Sequence, residues 1–489
     1  MKRRDFLRTA TLATIATAIP NCAHLRANSP ARGRSTRPNV VLILVDDLGW
    51  TDAGCYGSQY YETPNIDRLA GQGILFTDGY AACAVCSPTR AAVLTGRYPA
   101  RLGVTDWIRG RFQGGDIPPD KQPPTEYVGG PDTMLLCPPN ALWMELDEIT
   151  IAEILKPAGY TTCHIGKWHL GADDWYPEKQ GFDYNIGGCD FGQPPSYFDP
   201  YANARQGSIP TLPPRHEGEY LTDREADEAV SFIQRHRDAP FFLYMAHHAV
   251  HTPIQAKKEL TEKYAAKTPT RQKNPAYAAM VESVDHAVGR IMETLDTLGI
   301  ADNTLVLFTS DNGGLLGPTD NTPLRAGKGY PYEGGIRAPA IARWPNVIEP
   351  GRDCHVPITS VDYFPTICEA AGVGLPTDRL IDGKSLLPLL NGTGTLDREA
   401  IYWHFPHYRR EDVVPYSIIR AGDWKLIKRY EGGFFELYNL REDLSETTDL
   451  SDSMPAKVRE LHNQLGAWLD EVRAKLPVPN PDFRPPATP

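Results

Sequence analysis

Residues 39–47 read NVVLILVDD, an unbroken apolar run that stops on two aspartates. A strand with one wet face alternates apolar and polar side chains, whereas a continuous run fits a strand covered on both faces. TTCHIGK (161–167), PFFLYMA (240–246) and TLVLFTS (304–310) repeat the pattern. Helical spacing fills the intervals. Thr222 with Glu225 three residues on predicts a capping box, and Ala226, Ala229, Val230 and Ile233 then share one face. Residues 275–299 do the same with Tyr277, Val281, Val284, Val288, Ile291 and Leu295. Strands alternating with helices predict an α/β fold: a large, mostly parallel mixed sheet flanked by helices on both faces.

The pattern changes from about residue 356. SIIRAGDWKLIKRY (417–430) and FFELYNL (434–440) read as an antiparallel hairpin or meander turning through Glu431-Gly432-Gly433. An amphipathic helix follows, carrying Val458, Leu461, Leu465, Trp468, Leu469 and Val472. We therefore expect a leader over 1–35, a catalytic domain over 36–355, and a smaller C-terminal α+β domain over 356–489 that contributes to the substrate pocket. Residues 106–145 are rich in proline and glycine without periodicity, and a loop of that length in a compact enzyme often lines a binding site.

Lys and Arg total 50 against 61 Asp and Glu, a net charge of −11 over 489 residues. That balance argues against a general nucleic-acid binder, so an anionic ligand needs a local cationic pocket. The N-terminus, with paired Arg3 and Arg4, then Phe6 and Leu7 and an Ala/Thr run, resembles a twin-arginine export signal. Export by that machinery to the periplasm or beyond is the expectation, with lipid anchoring at Cys22 disfavoured by Asn21 before it. No other stretch approaches the ~20 apolar residues of a membrane span, so no transmembrane segment is expected in the mature chain. The nine cysteines are an odd number, which leaves at least one unpaired. Cys83 and Cys86 form a lone C-x-x-C, too few ligands for a structural zinc site.

In α/β sheets, ligands bind beyond the carboxyl ends of the strands, and those ends are loaded here. The first strand ends in Asp46-Asp47, and TLVLFTS runs into Asp311-Asn312. An aspartate after a strand also caps the next helix, but two acidic pairs in parallel positions favour one hard cation, Ca²⁺ or less well Mg²⁺, on oxygen ligands. Arg90, Lys167, His169, His251 and Lys328 form a cationic set, and any one alone reads as a surface charge or a satisfied histidine. Gathered beside a divalent cation they would make a pocket for a tetrahedral anionic ester.

The segment AVCSPTRAAVLTG (84–96) resembles the signature of type I sulfatases, with the C-x-P-x-R core present as Cys86, Pro88 and Arg90. GYTTCHIGKWH (159–169) resembles that family's second signature. ETPNIDRLA (62–70), EGGIRAPA (333–340) and LYNLREDLSE (437–446) extend the likeness from about residue 38 to 445. The resemblance implies an alkaline-phosphatase-like fold and a Cys86 oxidised to Cα-formylglycine by a separate formylglycine-generating enzyme. A hydrated aldehyde then attacks sulfur with one hydroxyl, and the second lets the ester collapse without water attacking sulfur.

By the same likeness, Asp46, Asp47, Asp311 and Asn312 match the Ca²⁺ ligands, with residue 86 also on the metal. Arg90 supports the aldehyde hydrate, Lys167 bridges hydrate and sulfate, and His169 takes a proton. His251 and Lys328 contact sulfate and aid protonation of the leaving alcohol. His247 and His248 rival His251, which is preferred because it directly precedes Thr-Pro. The family's polar side chain beyond G-K-W-H has no aligned serine here, and Asp190 is the stand-in. Cys83 is expected to play a structural part beside the site.

The opening of the domain also resembles enzymes acting on 6- or 4-sulfated galactose or N-acetylgalactosamine, which implies a sulfated saccharide substrate. His404, His407, Tyr408, Arg409 and Arg410 in YWHFPHYRR (402–410) are the substrate-pocket candidates, against the alternative of an ordinary hairpin edge. Two other functions stay open on sequence. A phosphomonoesterase or phosphodiesterase of the same superfamily would use Ser or Thr with two zinc ions. A non-catalytic glycan-binding protein would leave Cys86 unconverted.

Overall fold

Eight strands build the central sheet: β1 (Asn39–Val45), β2 (Ile74–Phe76), β3 (Thr161–Gly166), β4 (Tyr184–Ile186), β5 (Phe241–Ala246), β6 (Thr304–Ser310), β7 (Ala340–Arg343) and β8 (Arg352–Cys354). This computed structural model describes residues 37–409 and 412–485. The leader, Cys22 and Arg410 lie outside the described residues. The strand order is β8-β2-β7-β6-β1-β5-β3-β4. All pairings are parallel except those of β7, which runs antiparallel to both neighbours.

The apolar runs are explained by burial on both sides. Val41, Ile43 and Val45 of β1 join one core cluster, while Val40, Leu42 and Leu44 join another across the sheet. The first cluster is closed by α2 (Leu221–His236) and α3 (Pro275–Thr297), the second by α1 (Cys86–Thr95) and a helix over Tyr363–Ala370. The predicted capping box does not form. Helix α2 starts at Leu221 with Tyr220 at its cap, and the Glu225 carboxylate turns into the sheet to hold two histidines.

A second, antiparallel sheet comprises β9 (Ile401–Phe405), β10 (Tyr416–Ala421), β11 (Trp424–Arg429) and β12 (Phe435–Asn439) in sequential order. Helix α4 (Pro455–Glu471) packs Leu461, Leu465, Trp468 and Leu469 against it. The described residues belong to one compact unit, and its architecture changes near the expected 355/356 boundary. Among the described residues, no helix is long and apolar enough to cross a membrane.

Candidate active site

Register places the site. Val45 pairs with Ser310 across β1 and β6, so Asp46-Asp47 and Asp311-Asn312 leave the sheet side by side. Gly166 pairs with Ala246 across β3 and β5, which brings Lys167 to the same edge. Helix α1 supplies the rest. Cys86 is its first residue, Pro88 sits within the first turn where its missing N–H costs nothing, and Gly96 (φ 69°) closes the helix in the left-handed region. Arg90 lies one turn after Cys86, so the two share a face. The spacing of C-x-P-x-R is therefore a helical spacing.

All these groups are buried and interlocked. Arg90 donates from Nε and Nη2 to Asp311 Oδ2 at 2.9 and 2.8 Å, and from Nη1 to the Lys167 carbonyl at 2.8 Å. Lys167 Nζ donates to Asp46 Oδ2 at 2.6 Å. Lys328 Nζ lies 2.5 Å from Asp47 Oδ1, which also accepts from Asn312 Nδ2 at 2.8 Å. His251 Nε2 stands 3.6 Å from Asp47 Oδ2. Asp47 and His169 both adopt φ 61°, left-handed conformations that cost a non-glycine residue about 1 kcal/mol or more and recur at functional sites.

Three buried acceptors have no hydrogen-bond partner: Asp46 Oδ1, Asp47 Oδ2 and Asn312 Oδ1. Asp46, Cys86 and Asp311 offer ligand atoms within 4.8 Å of one another, as do Asp46, Asp47 and His251. Unpaired buried acceptors are costly unless a cation meets them. Burial and the neighbouring Asp311 carboxylate push Asp46 well above the usual range, the signature of anions crowded without enough positive charge. Burial would raise Asp47 too, but Lys328, His251 and Lys167 hold it well below. The donor set fits a metal ion.

The histidines divide by partner. His169 Nε2 lies 2.6 Å from the Ile108 carbonyl, which only accepts, so Nε2 carries the proton. Its Nδ1 lone pair then faces Cys86 Sγ at 3.5 Å. Burial, with Lys167 and Arg90 nearby, holds this imidazole neutral. His251 is likewise kept neutral by burial and Lys328, while burial fails to discharge Lys328 because Asp47 faces it. His247 Nδ1 and His248 Nδ1 each sit 2.7 Å from Glu225 and tie α2 to the end of β5, whereas His251 lines the cavity beside Cys86. Cys83 is buried, its thiol pushed up to about 12 by burial, and its backbone N–H donates to Thr89 Oγ1 at 3.0 Å. Cys83 and Cys86 are both unpaired.

Beside these groups opens a cavity of about 150 Å³ lined by Cys86, His169, His251, Lys328, Trp107, Gln113, Gln193 and Arg409. Of the described substrate candidates, Asp190, His404, His407, Tyr408 and Arg409, only Arg409 is on this wall. Asp190 instead accepts from the Arg111 N–H at 3.1 Å and ties two loops together, and Gln193, three residues on, lines the cavity. His404 fills the second sheet's interior between Ser417 Oγ (2.7 Å) and the Lys475 carbonyl (3.0 Å). His407 Nε2 is taken by Thr105 Oγ1 at 2.8 Å. Tyr408 OH bonds Glu431.

Trp107 and Gln113 come from the 106–145 loop expected to line a binding site, although no pattern singles out either residue, and Gln193 lies in a further aperiodic loop. Two glycines carry a signal. A Cβ on Gly192 would stand 2.6 Å from the His169 ring, and one on Gly329 (φ 90°) would stand 2.5 Å from Arg409 Nε. Both backbones must pass that close for the pocket to exist.

Comparison with known proteins agrees with this geometry. The Sulfatase family model matches residues 38–373, and a model described as N-sulphoglucosamine sulphohydrolase, C-terminal, matches 327–475. A sulfatase of Formosa agariphila is 34% identical, with 94% of this chain and 95% of that protein covered. The N-acetylgalactosamine-6-sulfatase of Canis lupus familiaris is 38% identical over 92% of this chain and 80% of its own. The solved structure of Ps i-CgsB in complex with k-i-k-neocarrahexaose matches with a TM-score of 0.74 at 31% identity, over 88% of this chain and 92% of that one. The chain belongs to the sulfatase family, enzymes of sulfate-ester hydrolysis.

Proposed function

We propose that this enzyme removes sulfate from a sulfated saccharide of the galactose or N-acetylgalactosamine type, with residue 86 as nucleophile after conversion to Cα-formylglycine. Asp46, Asp47, Asp311 and Asn312 would hold a Ca²⁺ ion. The observation that carries the reading is the trio of buried, unpartnered oxygens on Asp46, Asp47 and Asn312 beside Cys86. Carboxylate and amide oxygens suit Ca²⁺ better than zinc. When bound, such an ion supplies Lewis-acid polarisation of the sulfate and acidifies a neighbouring hydroxyl. A formylglycine hydrate supplies that hydroxyl.

The chain's own groups then have defined tasks. His169 Nδ1, unprotonated and facing residue 86, accepts a proton from that side chain. Arg90 and Lys167 are fixed positive charges against the anionic centre, and the N-terminus of α1 adds its dipole. Lys328 and His251 face the pocket where the leaving oxygen departs. The N-acetylgalactosamine-6-sulfatase relative and the neocarrahexaose bound by the structural neighbour support a galacto-configured substrate. The paired Arg3 and Arg4 support export to the periplasm through the twin-arginine machinery, with residue 86 converted beforehand by a formylglycine-generating enzyme.

Mass spectrometry of the tryptic peptide spanning Cys86, from protein co-produced with that maturation enzyme, tests the nucleophile. Conversion appears as a loss of about 18 Da, the exchange of thiol for carbonyl oxygen, and 4-nitrophenyl sulfate is then hydrolysed. A persistent thiol in protein that still turns over aryl sulfate would overturn the assignment.

A further inference from the structure

The loop that carries Trp107 has a second side. Asn140 clasps it, with Oδ1 accepting from the Thr105 and Asp106 N–H groups at 3.0 Å each and Nδ2 donating to the Asp106 and Trp107 carbonyls at 3.1 and 3.2 Å. His407, two residues beyond β9, holds Thr105. Trp107 lines the reaction pocket, whereas Thr105 lines a different cavity of about 480 Å³, between the short helix Pro99–Leu102, Pro138-Pro139 and the end of α4. Two residues of chain span at most about 7 Å, so the cavities share a wall.

The sizes differ in a useful way. A pocket near 150 Å³ takes a sulfate and part of one ring, while saccharide-sized ligands need about 300 Å³ or more. Arg97, Arg101, Arg473 and Lys475 line the larger cavity with Glu471, and Arg101 is itself paired with Glu471 at 3.2 Å. Arg97 and Arg101 are fixed in place by Glu148 and Asp382, and Arg97 Nε is buried without a partner. Arg473 and Lys475 are exposed and, among the described residues, make no ion pair.

We propose that this cavity is a second substrate subsite, which binds another anionic unit of the same sulfated chain through Arg473 and Lys475. The inference rests on the sulfated-saccharide reading above. It makes the enzyme one that prefers oligosaccharides to single sugars.

The test pairs Arg473→Asn with Lys475→Gln, both exposed positions, with asparagine chosen because residue 473 has φ 53°. Sulfated galactan and chondroitin hexasaccharides are titrated calorimetrically into wild type and double variant, and 4-nitrophenyl sulfate turnover is measured on the matured proteins. At least one hexasaccharide should bind the variant about tenfold more weakly, with the gap closing in high salt, while aryl sulfate kcat/KM stays within about twofold. Equal hexasaccharide affinity in the two proteins, no binding by wild type, or a parallel loss of aryl sulfate turnover would each overturn the subsite. A wild type that binds hexasaccharide but hydrolyses no sulfate ester would instead sink the catalytic reading.

Discussion

Two groups of buried charges lie in this molecule, and they differ in what they leave unfinished. Beneath the four-stranded sheet, Lys425 Nζ stands 2.9 Å from Glu333 and 2.7 Å from Glu446. Glu333 also accepts from Arg337 Nε at 2.8 Å and Tyr80 OH at 2.6 Å, and Glu446 accepts from the Glu333 N–H at 2.7 Å. At the strand ends Arg90, Lys167 and Lys328 are as deeply buried, yet three acceptors there lack a hydrogen-bond partner. The nearest basic groups to two of them stand 3.6 and 3.7 Å away, whereas Glu446 Oε1, which also lacks a hydrogen bond, has Lys425 against it at 2.7 Å. Burial of charge therefore does not mark a site. The first group cements the second sheet to the catalytic core; the second holds room for ligands.

The contrast is broken if the same kind of substitution has the same kind of effect in both places. Cys86→Ala should leave the melting temperature near that of wild type and lower aryl sulfate turnover by at least about a thousandfold, since the nucleophile is gone. Asp311→Asn should cost about a hundredfold in turnover, because Arg90 loses the oxygen that aims two of its donors. Lys425→Met should do the reverse: about 3–5 kcal/mol of stability lost in denaturant titration, from two carboxylates left buried without their cation, with kcat of the folded fraction little changed. Glu225→Gln should cost about 1–3 kcal/mol as the clamp on His247 and His248 weakens, with turnover within a few-fold.

The smallest effect sharpens the comparison through pH. Burial, with Glu333 alongside, raises Glu446 from an ordinary 4.5 to about 7 despite Lys425. The folded state thus holds this proton more tightly than the unfolded chain does. Its contribution is fully present below about pH 4.5 and is lost as pH rises through 7, a change of about 1–3 kcal/mol. Thermal unfolding at pH 5 and pH 8 should show wild type losing more stability than Glu446→Gln over that interval. Equal slopes would mean that Glu446 is ionised throughout.

The parts of this architecture legible in the sequence are those set by local pattern. Strands covered on both faces favour apolar side chains, so β1, β5 and β6 stand out as apolar runs while β3 carries a buried histidine, His164, and the polar residues that follow these strands mark the site. The two edge strands, β4 and β8, are short and partly exposed and carry no such pattern. Glu225 misled because a capping glutamate and a histidine clamp look identical along the chain; only the register of β5 against α2 decides. His404 misled because a polar residue in a strand reads as a surface group, while Ser417 opposite it across β9 and β10 satisfies it inside. Trp107 and Gln193 reach the pocket from loops whose course depends on contacts far away in sequence, such as Asn140 on 105–107 and Arg111 on Asp190.

The most direct measurement is thermal unfolding of chelator-treated protein as Ca²⁺ is added to about 1 mM, in wild type and Asp46→Asn. If the unpartnered oxygens form a cation site, the ion binds only the folded state. Wild type should then gain a few degrees, from up to about 4 kcal/mol of linkage at a thousandfold excess over Kd, and the variant should gain little. No shift in wild type, or an equal shift in Asp46→Asn, would contradict the account.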